Sequence, residues 1–282
     1  MNFKFVLSLL LLLLVVPVSG HSFDNDKHVK ELTPKKFKRY VHDSNYPVCV
    51  MFYAPWCGYC KQLTPIYKKT AKSAKAFGRF HAVNCDESEN RPLCSKYGVE
   101  GFPTLKFFKN SKDSSGEKIA YDFLLDRTSK NLLSEIKKNL LRLTQVVRGD
   151  MSDLDKFLKR EKQAKAILFT DKSSTPDLWK GLAVGFHKKI ILGAVNSRNK
   201  DIFSYYKIES TPQILVFHPD ENNEFSVDSF TKYKGPTKYE EIVEFLKPFK
   251  ISSQKSKPSK SSSKKSPKKP SATKSSKLRD EL

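Results

Sequence analysis

Cysteine is scarce in this chain: five residues among 282, and none after residue 94. Two of them, Cys57 and Cys60, close the stretch YAPWCGYC, and no other pair repeats their spacing. A structural zinc site takes four ligands, commonly from two such pairs. Cys85 and Cys94 lie nine residues apart and the six histidines show no ligand-like spacing near them, so no metal is expected, and no cofactor either. Long apolar runs are also missing. The run from Phe5 to Val18 is shorter than the roughly 20 residues a bilayer-crossing helix needs and is broken by Pro17, so stable membrane insertion is not expected. No Asn-x-Ser/Thr acceptor occurs, so N-glycosylation is not expected. Residues 251–277 contain no acid and no aromatic ring, and lysines without interleaved aromatics do not make a nucleic-acid binder.

What is present begins at the two ends. Lys4, the apolar run and the small residues Val18-Ser19-Gly20 read as a signal peptide over residues 1–20. The final Arg279-Asp280-Glu281-Leu282 is a close variant of the tetrapeptide that returns soluble proteins to the endoplasmic reticulum. The expected location is the endoplasmic reticulum lumen, with a retention-signal receptor as one partner. In that oxidising compartment cysteines read as redox chemistry before metal binding. The formal net charge is +22, and the nine lysines of 251–277 leave +13 on the remainder. A segment of lysine, serine and proline cannot bury enough surface to offset its ordering entropy, so 251–282 reads as a disordered basic tail. It serves as a spacer for RDEL or as a tether for polyanions or acidic clients; retention alone requires the spacer, which favours the first reading.

Residues 21–250 suffice for two domains of about 115 residues each. The run VCVMFY (48–53) is β-prone and apolar throughout, as in a strand covered on both faces. A helical pattern follows from Lys61 to about Ala76, with Leu63, Ile66, Tyr67 and Ala74 as its apolar members and an expected kink at Pro65. Phe80–Val83 and Thr104–Phe108 read as strands, Asn90–Tyr97 and Leu132–Leu143 as helices, and this alternation argues an α/β fold. CSKYGVEGFPTLKFF (94–108) lies without gaps on FSYYKIESTPQILVF (203–217), sharing the positions of Pro103 and Pro212. Two copies of one fold are therefore expected, over 21–143 and 144–250. The second would be built from AKAILFT, a helix through Trp179, KIILGAV, the strand after Pro212 and a closing helix KYEEIVEFL. It contains no cysteine, so it cannot repeat the chemistry of the first.

A sulfur in the first turn of a helix faces backbone N–H groups without partners and the positive end of the macrodipole, both of which favour thiolate over thiol. Cys57, nearer the N-terminus and expected to be exposed, would attack a disulfide; Cys60, one turn further in, would resolve the mixed disulfide. Gly58 leaves room for a substrate backbone.

FYAPWCGYCKQLTPIY followed by YGVEGFPTLKFF resembles the catalytic thioredoxin-like domain of the protein disulfide isomerase family, and 144–250 resembles that family's redox-inactive domain. The resemblance implies two tandem thioredoxin-like domains, each with a mixed central sheet flanked by helices. It implies that Trp56, Phe102 and a cis Pro103 shape the substrate-binding surface. Arg127 is similar to an arginine that swings toward the resolving cysteine; its other reading is a solvated loop charge. Cys85 and Cys94 resemble a noncatalytic disulfide of some members, and Cys49 reads as a core thiol. Three positions depart from the family. Tyr59 replaces the usual histidine, and a phenol offers only a hydrogen bond where an imidazolium stabilises a thiolate. Met51 and Ala82 replace a buried glutamate and its lysine partner, which implies slow proton transfer from Cys60. The function implied is thiol–disulfide exchange on unfolded or partly folded secretory proteins, with electrons passing to lumenal thiol oxidases or glutathione. The alternative is a chaperone or escort in which redox activity is secondary.

Overall fold

The computed structural model describes residues 23–250 except 221 and 223; the expected signal peptide and basic tail lie outside the described residues. The first half runs β1 (Val29–Glu31), α1 (Pro34–Phe37, continued by a π-turn over Lys38–His42), β2 (Val48–Tyr53), α2 (Gly58–Ala74) and β3 (Arg79–Asn84). It goes on through α3 (Arg91–Lys96), β4 (Thr104–Lys112), β5 (Lys118–Asp122) and α4 (Ser129–Lys138). The second half repeats the plan: β6 (Gln145–Val147), α5 (Met151–Lys159), β7 (Lys165–Thr170), α6 (Asp177–Gly185), β8 (Ile191–Asn196), α7 (Lys200–Tyr205), β9 (Gln213–Phe217), β10 (Phe230–Lys232) and α8 (Tyr239–Leu246). The strand orders, β1-β3-β2-β4-β5 and β6-β8-β7-β9-β10, are identical. In each sheet the first three strands are parallel and the last two antiparallel. Both cis peptides, Phe102-Pro103 and Thr211-Pro212, precede the antiparallel strand beside the centre, β4 and β9. The chain is thus α/β with two thioredoxin-like units, as the internal repeat implied.

β2 and β7 are central and every residue of each is buried, which is why their sequences are unbroken apolar runs apart from Lys165 and Thr170. Lys165 is fully buried because its ammonium lies 3.7 Å from the centroid of the Phe225 ring and donates to the Glu161 carbonyl. α2 passes Pro65 without a break. Pro65 and the Lys61 whose carbonyl it leaves without an N–H both lie on the exposed face, open to solvent, while Leu63, Tyr67, Ala71 and Ala74 hold the other face to the core. Ile66 is exposed rather than part of that face. α4 ends at Lys138, five residues short of the expected Leu143, because the Asn139 side chain donates to the Glu135 carbonyl and to the Tyr121 hydroxyl.

The described residues form one compact unit. Between the halves, Tyr46 donates to the carbonyl of Gly181 at 3.3 Å, and Lys137 pairs with Asp177 at 2.9 Å. Gly181 sits inside α6, where helix propensity alone says alanine would stabilise by about 1 kcal/mol. A Cβ there would stand 2.2 Å from the backbone oxygen of Ala76. Overlap with backbone outweighs propensity, so Gly181→Ala is expected to destabilise by about 2 kcal/mol in urea unfolding; a gain in stability would show that this contact yields freely.

Candidate active site

Cys57 is the N-cap of α2. Its backbone is extended, and its Sγ accepts the N–H of Cys60 at 3.4 Å. One of the helix's unpartnered donors is thereby aimed at the sulfur on which negative charge develops when it attacks. Contrary to expectation, Cys57 is not exposed: the residue is 8% accessible and Cys60 1%. Phe102, just before the cis peptide to Pro103, supplies part of the cover, its carbonyl accepting from the Cys57 thiol at 3.5 Å. An incoming disulfide therefore meets one edge of a single sulfur. Both thiols are free. The Cys60 thiol is pushed up to about 12 by burial and by its hydrogen bond to Cys57, while the charge of Arg127 pulls it the other way. Arg127 itself is exposed in the loop before α4.

Trp56 is two-thirds exposed; its indole N–H donates to Asp86 at 3.1 Å, and its ring meets the edge of Phe102 at 6.0 Å. Gly58 faces open space, since a Cβ there would meet nothing within 4 Å. The fold thus brings Cys57, Cys60, Trp56, Phe102 and Pro103 together, with Arg127 within electrostatic reach. A disulfide joins Cys85 to Cys94, with Cα atoms 6.1 Å apart. Cys49 is fully buried in β2, and burial pushes its thiol far up, so it stays a thiol. Two features escaped sequence reasoning. Asp86 fixes the indole, and Leu124 and Leu125, 90% and 53% exposed, precede Arg127 on the same loop. Two adjacent leucines outside any helical or strand period were the available signal for the latter. No cluster among the described residues suits a metal ion, and no described helix is long and apolar enough to cross a membrane.

The thioredoxin family matches residues 28–137. Protein disulfide-isomerase MPD1 of Saccharomyces cerevisiae is 30% identical over 233 residues, which cover 77% of this chain and 73% of the yeast protein. The chain belongs to the protein disulfide isomerase family. A putative protein disulfide-isomerase of Dictyostelium discoideum is 36% identical over 234 residues, 82% of this chain and 54% of that protein, so the chain spans about half that relative's length. A thioredoxin domain-containing protein of Schizosaccharomyces pombe, described as mitochondrial, is 31% identical over 86% of this chain and 65% of its own length.

Against the isomerase pattern, Met51 and Ala82 are direct partners across β2 and β3, both fully buried in the core that also holds Cys57 and Cys60. Where the family resemblance places an ion pair, this chain has two apolar side chains in contact register. Tyr59 is 73% exposed, and among the described residues its hydroxyl makes no hydrogen bond to either sulfur. The phenol does not offer the bond that sequence allowed it. Placing an imidazolium in its stead adds a positive charge beside the helix start, so Tyr59→His is expected to favour the reduced dithiol about tenfold, raising the reduction potential by about 30 mV in a glutathione buffer. An unchanged or lower potential would defeat that account.

Proposed function

We propose that this chain is a thiol–disulfide oxidoreductase and isomerase of the endoplasmic reticulum lumen, forming and rearranging disulfides in folding secretory proteins through its CGYC dithiol. The catalytic domain covers 21–143, the redox-inactive domain 144–250 and the tail 251–282. The carrying observation is the pair of free thiols at the start of α2, with Cys57 capping the helix against the Phe102 carbonyl and Cys60 buried behind it.

In the reducing direction the Cys57 thiolate attacks one sulfur of a client disulfide; an S–S bond forms to Cys57, the client bond breaks, and the released client thiolate takes a proton. Cys60, after giving up its proton, attacks the Cys57 sulfur and expels the second client thiolate. The client has gained two electrons and the 57–60 pair has become a disulfide. The reverse sequence oxidises a client dithiol, and escape of the mixed disulfide to another client thiol isomerises it. Reoxidation then falls to a lumenal thiol oxidase or to glutathione disulfide. Family membership and the RDEL motif support the lumenal address; the mitochondrial description of the fission-yeast relative makes localisation of the tagged chain a necessary check.

Exposed Trp56, Tyr59, Leu124 and Leu125 offer apolar surface to unfolded clients, which also suits the chaperone reading. Replacing both Cys57 and Cys60 with alanine separates the two. Recovery of scrambled ribonuclease is expected to fall to the uncatalysed rate, and recovery that persists would sink the oxidoreductase assignment. Suppression of client aggregation by the same variant measures what chaperone function remains.

A further inference from the structure

The second half has a cavity of about 670 Å³ at the carboxyl ends of its parallel strands, where Val147, Thr170 and Asn196 end β6, β7 and β8. Ligands of open α/β sheets sit in such crevices. In the first half the equivalent connection, from β2 to α2, carries the cysteine pair; here residues 171–176 read DKSSTP. We propose that this cavity binds a compact anion bearing two or three phosphate groups and no aromatic ring.

Arg142, Arg148, Lys172, Lys180 and Arg198 line the cavity, and no carboxylate does. Lys180 pairs with Asp177 at 3.2 Å; the other four make no ion pair among the described residues. All four are exposed around one space, and two asparagines fix the backbone that carries three of them. Asn196 donates to the Lys172 carbonyl at 2.7 Å and accepts from the Arg198 N–H at 3.1 Å. Asn199 donates to the carbonyls of Val147 and Gly149 at 3.1 and 3.2 Å. The loops bearing Lys172, Arg148 and Arg198 are therefore pinned before any ligand arrives, and Ser173, Ser174 and Thr175 line the same wall.

These groups select the ligand's chemistry. A phosphate carries about −1.5 to −2 charges and three strong acceptor oxygens, so two phosphates match four cations and use the hydroxyls and arginine forks together. No aromatic side chain lines the space, so a nucleobase would find nothing to stack on. A peptide would have to insert three or four acidic side chains at once to bring equal charge.

The test is calorimetric titration of the full chain with inorganic tripolyphosphate at about 0.15 M salt. Because the tail lysines also attract anions, two triple variants are compared. Arg148→Ser with Lys172→Ser and Arg198→Ser is expected to weaken binding by about thirtyfold or more, and Lys264→Ser with Lys265→Ser and Lys268→Ser by less than about threefold. Equal losses, or loss only in the tail variant, would overturn the proposal. Should the first variant fail to fold, Arg148→Lys with Arg198→Lys keeps charge and removes the forks; about fivefold weaker binding is expected, and unchanged affinity counts against the site. A hexaglutamate peptide that binds as tightly as tripolyphosphate overturns the phosphate assignment.

Discussion

In a Cys60→Ala chain the mixed disulfide between Cys57 and client is expected to accumulate while turnover of insulin reduction falls by about a hundredfold. The two sulfurs are not equivalent. Cys57 caps the helix, receives the Cys60 N–H at 3.4 Å and presents an edge toward the surface formed by Trp56 and Phe102. Cys60 is 1% accessible, and its thiol is pushed up to about 12 chiefly by burial, so at neutral pH it is neither reachable nor ionised when a client arrives. The order of attack follows from that asymmetry. In Cys60→Ala the first step proceeds and the intramolecular exit is gone, leaving only external thiols to release the client. A Cys57→Ala chain, with only the buried sulfur left, should form no adduct. Acid quenching, thiol blocking and non-reducing electrophoresis read both variants, and an adduct carried by Cys60 would reverse the assignment.

What was legible in the sequence was what is local or repeated. β2 and β7 announced themselves as apolar runs because they are central and covered on both faces, and Pro103 and Pro212 aligned because both precede the same antiparallel strand. β1, β6 and β10, three residues each, and β5, KIAYD, carry no such run; their pairing is supplied by a longer neighbour, so their own residues hold little of the information. α5 does carry a signal, with Asp150 capping two N–H groups ahead of Leu154, Phe157 and Leu158, and that signal lies outside the repeated window. At the site, two thiols two residues apart sufficed to locate the centre. The cover over Cys57 was not visible, because Phe102 lies 45 residues away and reaches the sulfur only through the fold. For the same reason the bond from Trp56 to Asp86 and the exposure of Leu124 beside Arg127 are facts of tertiary placement.

The step from mixed disulfide to product is where this chain should differ most from relatives with a buried ion pair. Burial, the first cause that lifts the Cys60 thiol above the ordinary range, persists when Cys57 is tied up in the mixed disulfide, so resolution is expected to be limited by the proton on Cys60. Met51 and Ala82, register partners in the core that also holds Cys57 and Cys60, have no group to accept it, and the exposed Arg127 offers charge without being a base. The resolving rate is therefore expected to rise with pH, about tenfold per unit from about pH 6 to 9, because below the thiol's own value each unit of rise in pH multiplies the thiolate fraction by ten. Installing Met51→Glu together with Ala82→Lys supplies a carboxylate and a counter-charge in register. It should speed resolution at pH 7 by about tenfold or more and flatten that slope, at a cost of about 1–4 kcal/mol for replacing packed apolar groups with a buried pair. Met51→Glu alone leaves a carboxylate unpaired and should cost more, about 3–5 kcal/mol. Stopped-flow decay of a preformed mixed disulfide measures the rate directly. If the double variant kept both the slow rate and the steep slope, the proton on Cys60 would not be what holds the intermediate. If it quickened as expected, the longer-lived intermediate of the natural chain, with more time to exchange onto other client thiols, would be what tilts this centre toward isomerisation.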